Sequence, residues 1–226
     1  MMRNFFILCA AICLISIVSS CGQAETATYR LTLKVDDVTA KSSDTLIAVP
    51  VYISHPRDTL AGIEIHMRIE PNPNVHFATD QTGPDGLLVA ADTAGSMISG
   101  WEWIGVNSID SNVYDVRVVA LADWPNQTIT PPAGPSDKER LVTLYLRNNP
   151  AVPLEKDPLK LNIAIHGDKT SFADPRGGTV GMVTSVEKVC ARYVGDSCAA
   201  WKSMKVGRLD TLQVNFSGGS VTIKGE

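Results

Sequence analysis

The sequence predicts an all-β protein, an antiparallel β-sandwich of about nine to eleven short strands. Two observations support this fold class. Apolar and polar residues alternate with a period of two through most of the chain from Tyr29 onward, as they do in strands with one face on a core and the other in water. Turns rich in glycine, proline and asparagine separate these segments, and only one helical turn is predicted, near residues 185–194.

The strand candidates follow one another along residues 29–226, which we expect to form a single domain. The five clearest are 31–35, 47–53, 63–69, 142–147 and 159–165. The shorter candidates are 75–78, 87–91, 97–107, 116–122, 212–216 and 220–224. Pro50 lies inside the second clear segment and predicts an edge strand or a bulge there, because proline has no amide hydrogen for the sheet. The least regular stretch, 167–209, is predicted to be an insertion before the last strands.

The N-terminus has the layout of a secretory signal. Arg3 precedes an apolar run over residues 5–18, which is shorter than the about 20 residues that a membrane-spanning helix needs. Two small residues come directly before Cys21, so the segment resembles a bacterial lipoprotein signal, whose cysteine is lipidated and becomes the new N-terminus. We therefore expect residues 1–20 to be removed, Cys21 to carry lipid and residues 22–28 to form a short tether. The alternative is an ordinary signal peptide that happens to contain a cysteine.

This signal places the protein outside the cytoplasm, in the cell envelope. Lipid at Cys21 would hold it on a membrane, because each buried methylene contributes about 0.8 kcal/mol. Gly22 follows the cysteine where some bacteria have an aspartate that retains lipoproteins in the inner membrane. The outer membrane is therefore the preferred location.

Two cysteines are left for the folded domain. Cys9 and Cys13 lie within the signal and Cys21 is predicted to be lipidated, so Cys190 and Cys198 form an even pair in a compartment that permits disulfides. Their spacing excludes a CxxC redox motif, and no nearby histidine completes a zinc site. We predict a local disulfide, which would stabilise its loop by about 2.5 kcal/mol.

Charge and motifs exclude several function classes. The formal net charge is −4, and no basic stripe favours a nucleic-acid partner. The sequence contains no G-x-S-x-G, H-E-x-x-H, G-x-x-x-x-G-K or G-x-G-x-x-G motif, and its acidic residues lack the spacing of a calcium loop. We therefore predict no enzymatic activity, no cofactor and no metal site.

Two tryptophans form the most distinctive aromatic pattern. Trp101 and Trp103 lie two residues apart in a predicted strand, so their indoles would share one face, about 6.5–7 Å apart. Trp124 follows on a neighbouring segment. Exposed indoles can stack on sugar rings or anchor a protein partner. The alternative is that Trp101 and Trp103 close one end of the core, and the mixed polarity of the residues around them leaves both interpretations open.

Short motifs across residues 31–224 resemble a cohesin-type domain. They are Ile-Ala-Val-Pro-Val at 47–51, Leu-Ala-Gly-Ile-Glu-Ile-His-Met at 60–67, Ile-Ser-Gly-Trp-Glu at 98–102, Phe-Ala-Asp-Pro at 172–175 and Gly-Gly-Ser-Val-Thr-Ile at 218–223. Cohesins are non-catalytic nine-stranded sandwiches that bind dockerin modules, and a group of carbohydrate-binding modules shares their fold. The resemblance implies an immunoglobulin-like sandwich of the cohesin or jelly-roll type.

The resemblance also implies a partner and a binding face. Cohesins bind their partner on one sheet face, and by strand position the contributing residues here are Glu64, His66 and Arg68. We therefore expect a dockerin-like protein partner. The alternatives are carbohydrate binding through Trp101, Trp103 and Trp124, or a structural lipoprotein of the envelope. The insertion at 167–209 and the single module both differ from the usual cohesin pattern.

Overall fold

Fifteen strands form in the residues that the computed structural model describes, 29–79, 90–109, 112–122 and 131–225. A six-stranded sheet contains β1 (Leu31–Val35), β3 (Leu46–His55), β5 (Val75–Phe77), β6 (Ala91–Asp92), β9 (Ser136–Asn148) and β14 (Val214–Ser217). A seven-stranded sheet contains β2 (Val38–Lys41), β4 (Gly62–Ile69), β7 (Trp103–Ile109), β8 (Asn112–Leu121), β10 (Leu159–Ile165), β11 (Ser171–Ala173) and β15 (Gly219–Lys224). β12 (Met182–Val194) and β13 (Ser197–Leu209) pair with each other as a two-stranded ribbon.

The two larger sheets confirm the predicted all-β sandwich. The order in the six-stranded sheet is β14-β1-β3-β9-β5, with β6 also on β9, and the order in the seven-stranded sheet is β2-β15-β10-β4-β8-β7, with β11 on β4. Neighbours are antiparallel except for β1 with β14 and β2 with β15, which run parallel. The strand number exceeds the prediction because β2 and the three-residue β11 were not predicted and because residues 182–209 form two further strands.

Several local predictions need correction. The predicted helical turn at 185–194 is wrong, since these residues form most of β12 and pair with β13. The predicted strand at 97–107 begins only at Trp103, because turns occupy the preceding residues and Gly100 has a φ of 83°. Of the two predictions for Pro50, the edge strand is wrong, because β3 lies between β1 and β9. The bulge fits the structure, since the register of β3 with β9 shifts between Val51 and Tyr52, directly after the proline.

The core lies between the two sheets. Alternate residues of β1, β3, β4 and β10 are buried, as the period of two predicts. The largest fully buried side chains include Phe77 on the six-stranded sheet and Phe172 on the seven-stranded sheet. Burying one such side chain contributes about 1.5–3 kcal/mol, so packing between the sheets holds the outward strand faces in fixed positions.

The stretch 167–209, predicted as an insertion, divides into two parts. Ser171–Ala173 form β11, which pairs with β4 and so belongs to the sandwich. Met182–Leu209 form the β12–β13 ribbon, which pairs with no sandwich strand within the described residues. A short 3-10 helix at Gly167–Lys169 precedes β11.

Asp37 connects the first strands to the last one. The hydroxyl of Ser220 on β15 donates a hydrogen bond of 2.7 Å to Asp37 Oδ1, and this bond lowers the pKa of the Asp37 carboxyl. The resulting stabilisation is complete above the ordinary aspartate pKa of about 3.9 and is lost as the pH falls through the lower pKa of the folded state.

Replacing Ser220 with alanine should therefore reduce the loss of stability in acid. The measurement is urea unfolding of both proteins from about pH 6 to about pH 2. Ser217→Ala is the control, because the Ser217 hydroxyl donates to the carbonyl of Gly218 and not to a carboxylate. If the free energy of unfolding depends on pH equally in the Ser220 variant and the unmodified protein, the Ser220 hydroxyl is not the cause of the lowered Asp37 pKa.

Candidate functional site

The candidate site is the outward face of β4, β8 and β7 in the seven-stranded sheet. The strand register aligns residues of the three strands in rows across this face. The rows are Gly62, Leu121 and Trp103; Glu64, Val119 and Gly105; His66, Arg117 and Asn107; and Arg68 and Asp115. The first row is apolar and the last two are polar or charged, so the face has an apolar end and a charged end.

Glu64 organises the charged part of the face. Its Oε1 forms an ion pair of 2.8 Å with Arg117 Nη2, and His66 Nε2 lies 3.0 Å from the same oxygen. The His66 side chain is only 11% exposed, whereas the Glu64 side chain is 32% exposed. Arg68 is open to solvent, with its Nε 3.8 Å from Asp115 Oδ1. Glu64 and the two arginines therefore present charge to solvent, and His66 supports the carboxylate from within the sheet face.

Thr170 covers one side of His66. Its hydroxyl donates to the carbonyl of His166 at 2.9 Å, and the same oxygen lies 3.4 Å from the backbone N–H of His66. His66 Nδ1 is buried without a hydrogen-bond partner in the described structure. The imidazole is thus enclosed, which fits a supporting position better than direct contact with a partner.

Trp103 and Leu121 form the apolar end. Both side chains are about half exposed and lie in one row with Gly62. The indole lies over Gly105, since a Cβ atom at that position would be only 2.8 Å from Trp103 Cη2. Only glycine leaves room for the ring to lie against the sheet in this way, and about half of the Trp103 side chain stays open to solvent.

An open pocket of about 470 Å³ borders this apolar end. Gly62 of β4 and Leu121 of β8 line one side, and Ala173 and Asp174 at the end of β11 line another. Trp103 completes the wall. The pocket is mostly apolar with a carboxylate at its rim, which suits a partner's hydrophobic side chain flanked by polar groups.

The structure separates the three tryptophans of the carbohydrate alternative. Trp101 is 5% exposed and belongs to the core, whereas Trp103 is 49% exposed. The prediction that they share a face is wrong, because Trp101 lies before the start of β7 and the period-two alternation does not extend to it. The core interpretation is correct for Trp101 alone. Trp124 lies outside the described residues.

Sequence reasoning missed Arg117, Asp115 and Leu121 as members of the face. These residues alternate with buried ones along β8, so their outward orientation could have been predicted. Their position beside Glu64 and Trp103 depends on how the three strands are aligned with one another. The alternation of residues within one strand does not determine that alignment.

The predicted disulfide is present. Cys190 of β12 and Cys198 of β13 are bonded, with their Cα atoms 5.6 Å apart. Cys21, the predicted lipidation site, lies outside the described residues. Within the described ranges, no group of three or more histidine, cysteine, aspartate or glutamate residues could hold a metal ion. The same ranges contain no helix long and apolar enough to cross a membrane.

Comparison with known proteins identifies the fold. No family model and no curated protein matches the sequence. Among solved structures, the chain is similar to a type III cohesin module from the cell-surface anchoring scaffoldin ScaE of Ruminococcus flavefaciens, with 10% identity and a TM-score of 0.52 over 90% of this chain and 93% of that one. The chain therefore has a cohesin-like β-sandwich fold.

Two further cohesins match with lower scores. One is the third ScaC cohesin of Acetivibrio cellulolyticus in complex with the ScaB dockerin, with 11% identity and a TM-score of 0.49 over 86% of this chain and 99% of that one. The other is the OlpC cohesin in a type I cohesin–dockerin complex of Clostridium thermocellum, with 14% identity and a TM-score of 0.48 over 91% and 100%.

Proposed function

We propose that this protein is a non-catalytic binding module that docks a dockerin-like protein on the outward face of β4, β8 and β7. The observation that carries the proposal is the exposed Trp103–Leu121 pair next to the charged group around Glu64. The cohesin-like fold supports the same class of function. We further propose that lipid at Cys21 tethers the module to the cell envelope, with the outer membrane preferred.

The face contains the kinds of residue that protein interfaces use. In such interfaces a few aromatic and arginine anchors supply most of the binding free energy, and polar groups surround them. Trp103 is fixed over Gly105, so ordering its ring on binding costs little conformational entropy. Glu64, Arg117 and Arg68 can orient the partner through charge complementarity.

Carbohydrate binding is the second candidate. The half-exposed indole of Trp103 lies beside a pocket that Glu102 and Asp174 also line. An aromatic ring with nearby carboxylates can hold a sugar through stacking and hydrogen bonds. The burial of Trp101 removes one of the three tryptophans on which this alternative relied.

The proposal is tested by affinity capture from envelope and secreted fractions, with residues 22–226 as bait and with or without a chelator. A captured protein with paired calcium loops that chelation releases is the expected result. For that partner, Trp103→Ala should weaken binding about 30-fold, since truncating an aromatic anchor costs about 2 kcal/mol or more.

Trp201→Ala is the matched control, because Trp201 is also exposed but lies on the β12–β13 ribbon. It should bind the partner like the unmodified protein. Equal affinity of the Trp103 variant would contradict the assigned face. Retention of polysaccharide with no protein would replace the proposal with carbohydrate binding, and retention of neither would favour a structural envelope protein.

A further inference from the structure

The β12–β13 ribbon is a long element that lacks a second layer. Each strand has 13 residues, so the ribbon is about 40 Å long. Within the described residues, the two strands pair only with each other. An isolated two-stranded hairpin is marginally stable in water. The disulfide near the turn holds the strands together, but it does not cover their faces.

Large apolar side chains of the ribbon are open to solvent. Val186, Tyr193, Val194 and Trp201 are between 62% and 66% exposed. Trp201 lies opposite Cys190 in the register, and Val186, four residues earlier on β12, shares that face. Exposed apolar groups concentrated on one element mark a surface that another molecule covers.

The ribbon differs in charge from the rest of the protein. Residues 182–209 contain three lysines and two arginines against Glu187 and Asp196, a net charge of +3, whereas the whole chain carries −4. Glu187 is already paired with Arg208 inside the ribbon. Lys188 is exposed on the face that carries Val186 and Trp201, whereas Lys202, opposite Val189 in the register, is exposed on the other face. The charge of the ribbon therefore complements an anionic surface.

The base of the ribbon adjoins the start of the described chain. β13 ends at Leu209, and the N–H of Asp210 donates to the carbonyl of Gly181 at 2.9 Å. Four residues after the ribbon, the carbonyl of Gln213 accepts a hydrogen bond of 3.1 Å from the N–H of Leu31. The chain that leads back to Cys21 thus joins the sandwich next to the ribbon.

The length of the tether and the length of the ribbon place the ribbon within reach of a membrane. The predicted tether, residues 22–28, spans at most about 25 Å when fully extended, and the ribbon is longer than that. A lipid at Cys21 would therefore keep the bilayer surface close enough for the ribbon to contact it.

We propose that the β12–β13 ribbon binds the surface of an anionic lipid bilayer. Trp201 and Val186 enter the interface, where indole rings are favoured. Lys188, on the same face, contacts the anionic head groups, and its aliphatic stem lies along the apolar surface. The ribbon then supplies a second membrane contact besides the lipid, and it leaves the face around Trp103 available for a protein partner.

The test is flotation of residues 22–226, a chain that contains every described strand and no lipid. The vesicles contain either phosphatidylglycerol with phosphatidylethanolamine or phosphatidylcholine alone. The protein should float with the anionic vesicles, less so at high salt, and not with phosphatidylcholine. Lys188→Gln should weaken binding about fivefold, and Lys202→Gln, on the opposite face of the ribbon, should weaken it less. Trp201→Ala should also weaken it, and Trp103→Ala should not.

The matched control is Lys41→Gln, which removes the same charge from an exposed position on β2. It should bind the anionic vesicles like the unmodified protein. Circular dichroism and titration of free thiols show that each variant keeps its strands and disulfide. Failure to float, or equal losses in the ribbon and control variants, would overturn the proposal.

Sedimentation velocity distinguishes membrane binding by the ribbon from self-association of the protein through the ribbon. A dimer of the unmodified protein that the ribbon variants dissociate would assign the ribbon to a second copy of this chain and overturn the proposal. The vesicle assay contains no protein partner, so its failure leaves the proposed docking face to be judged by the Trp103 experiment alone.

Discussion

Replacing Phe172 with alanine is expected to lower the free energy of unfolding by about 3–5 kcal/mol. The Phe172 ring is 1% exposed and belongs to the core between the sheets. It lies on β11 opposite Ile63, and its carbonyl accepts a hydrogen bond of 2.9 Å from the N–H of Val180. Removing the ring would leave a cavity under β11, the strand whose end lines the pocket beside Trp103.

Urea unfolding followed by circular dichroism measures this loss. Phe77→Ala is the matched control: Phe77 is equally buried, but it lies on β5 of the opposite sheet. Both variants should lose similar stability, and only the Phe172 variant should also bind the partner less tightly under conditions in which both are folded. A stability loss below about 1 kcal/mol would show that β11 closes the cavity by moving inward.

Replacing Gly219 with alanine is expected to destabilise the protein by about 3 kcal/mol. A Cβ atom at this buried position would lie 2.5 Å from the carbonyl oxygen of Asp36 and 2.6 Å from that of Val35. Both obstructing atoms belong to the backbone, so no side-chain rotation relieves the clash. The last strand would have to move away from the first turn of the chain and lose pairing with β2 or β10.

Gly134→Ala is the control for this substitution, because no atom lies within 4 Å of a Cβ placed there. Its free energy of unfolding should change by about 0.5 kcal/mol or less. Thermal or urea unfolding of the two variants provides the comparison. Similar stability of the Gly219 and Gly134 variants would mean that the backbone around Asp36 adapts.

Alternation along single strands predicted most of the sandwich. Leu31, Leu33 and Val35 are buried, and Glu64 and Arg68 point outward from β4 as their spacing requires. This pattern exists only where one face of a strand is covered. In β12 and β13 neither face lies on the core, so apolar and polar residues mix on both faces. The ribbon therefore gave no period-two signal and looked irregular.

The candidate site was only partly predictable for a different reason. Glu64 belongs to one strand, but its partner Arg117 comes from β8 and the neighbouring Trp103 comes from β7. A shift of one residue in either pairing would turn these side chains inward. Trp101 is buried and Trp103 is exposed because β7 begins only at Trp103. The turn that contains Gly100 determines this start, and the alternation of apolar and polar residues does not reveal it.

The parallel pairs at the sheet edges have a consequence for how the chain folds. β1 pairs with β14, and β2 pairs with β15. The parallel partners of the first two strands are therefore made only when residues 214–224 are synthesised. Contacts between residues so far apart in sequence slow folding, because a long loop must close before they form. The sandwich can close only after residues 214–224 have been made. Such a delay keeps the polypeptide unfolded for longer, which is the state that threading across a membrane requires if residues 1–20 act as the secretory signal that the sequence predicts.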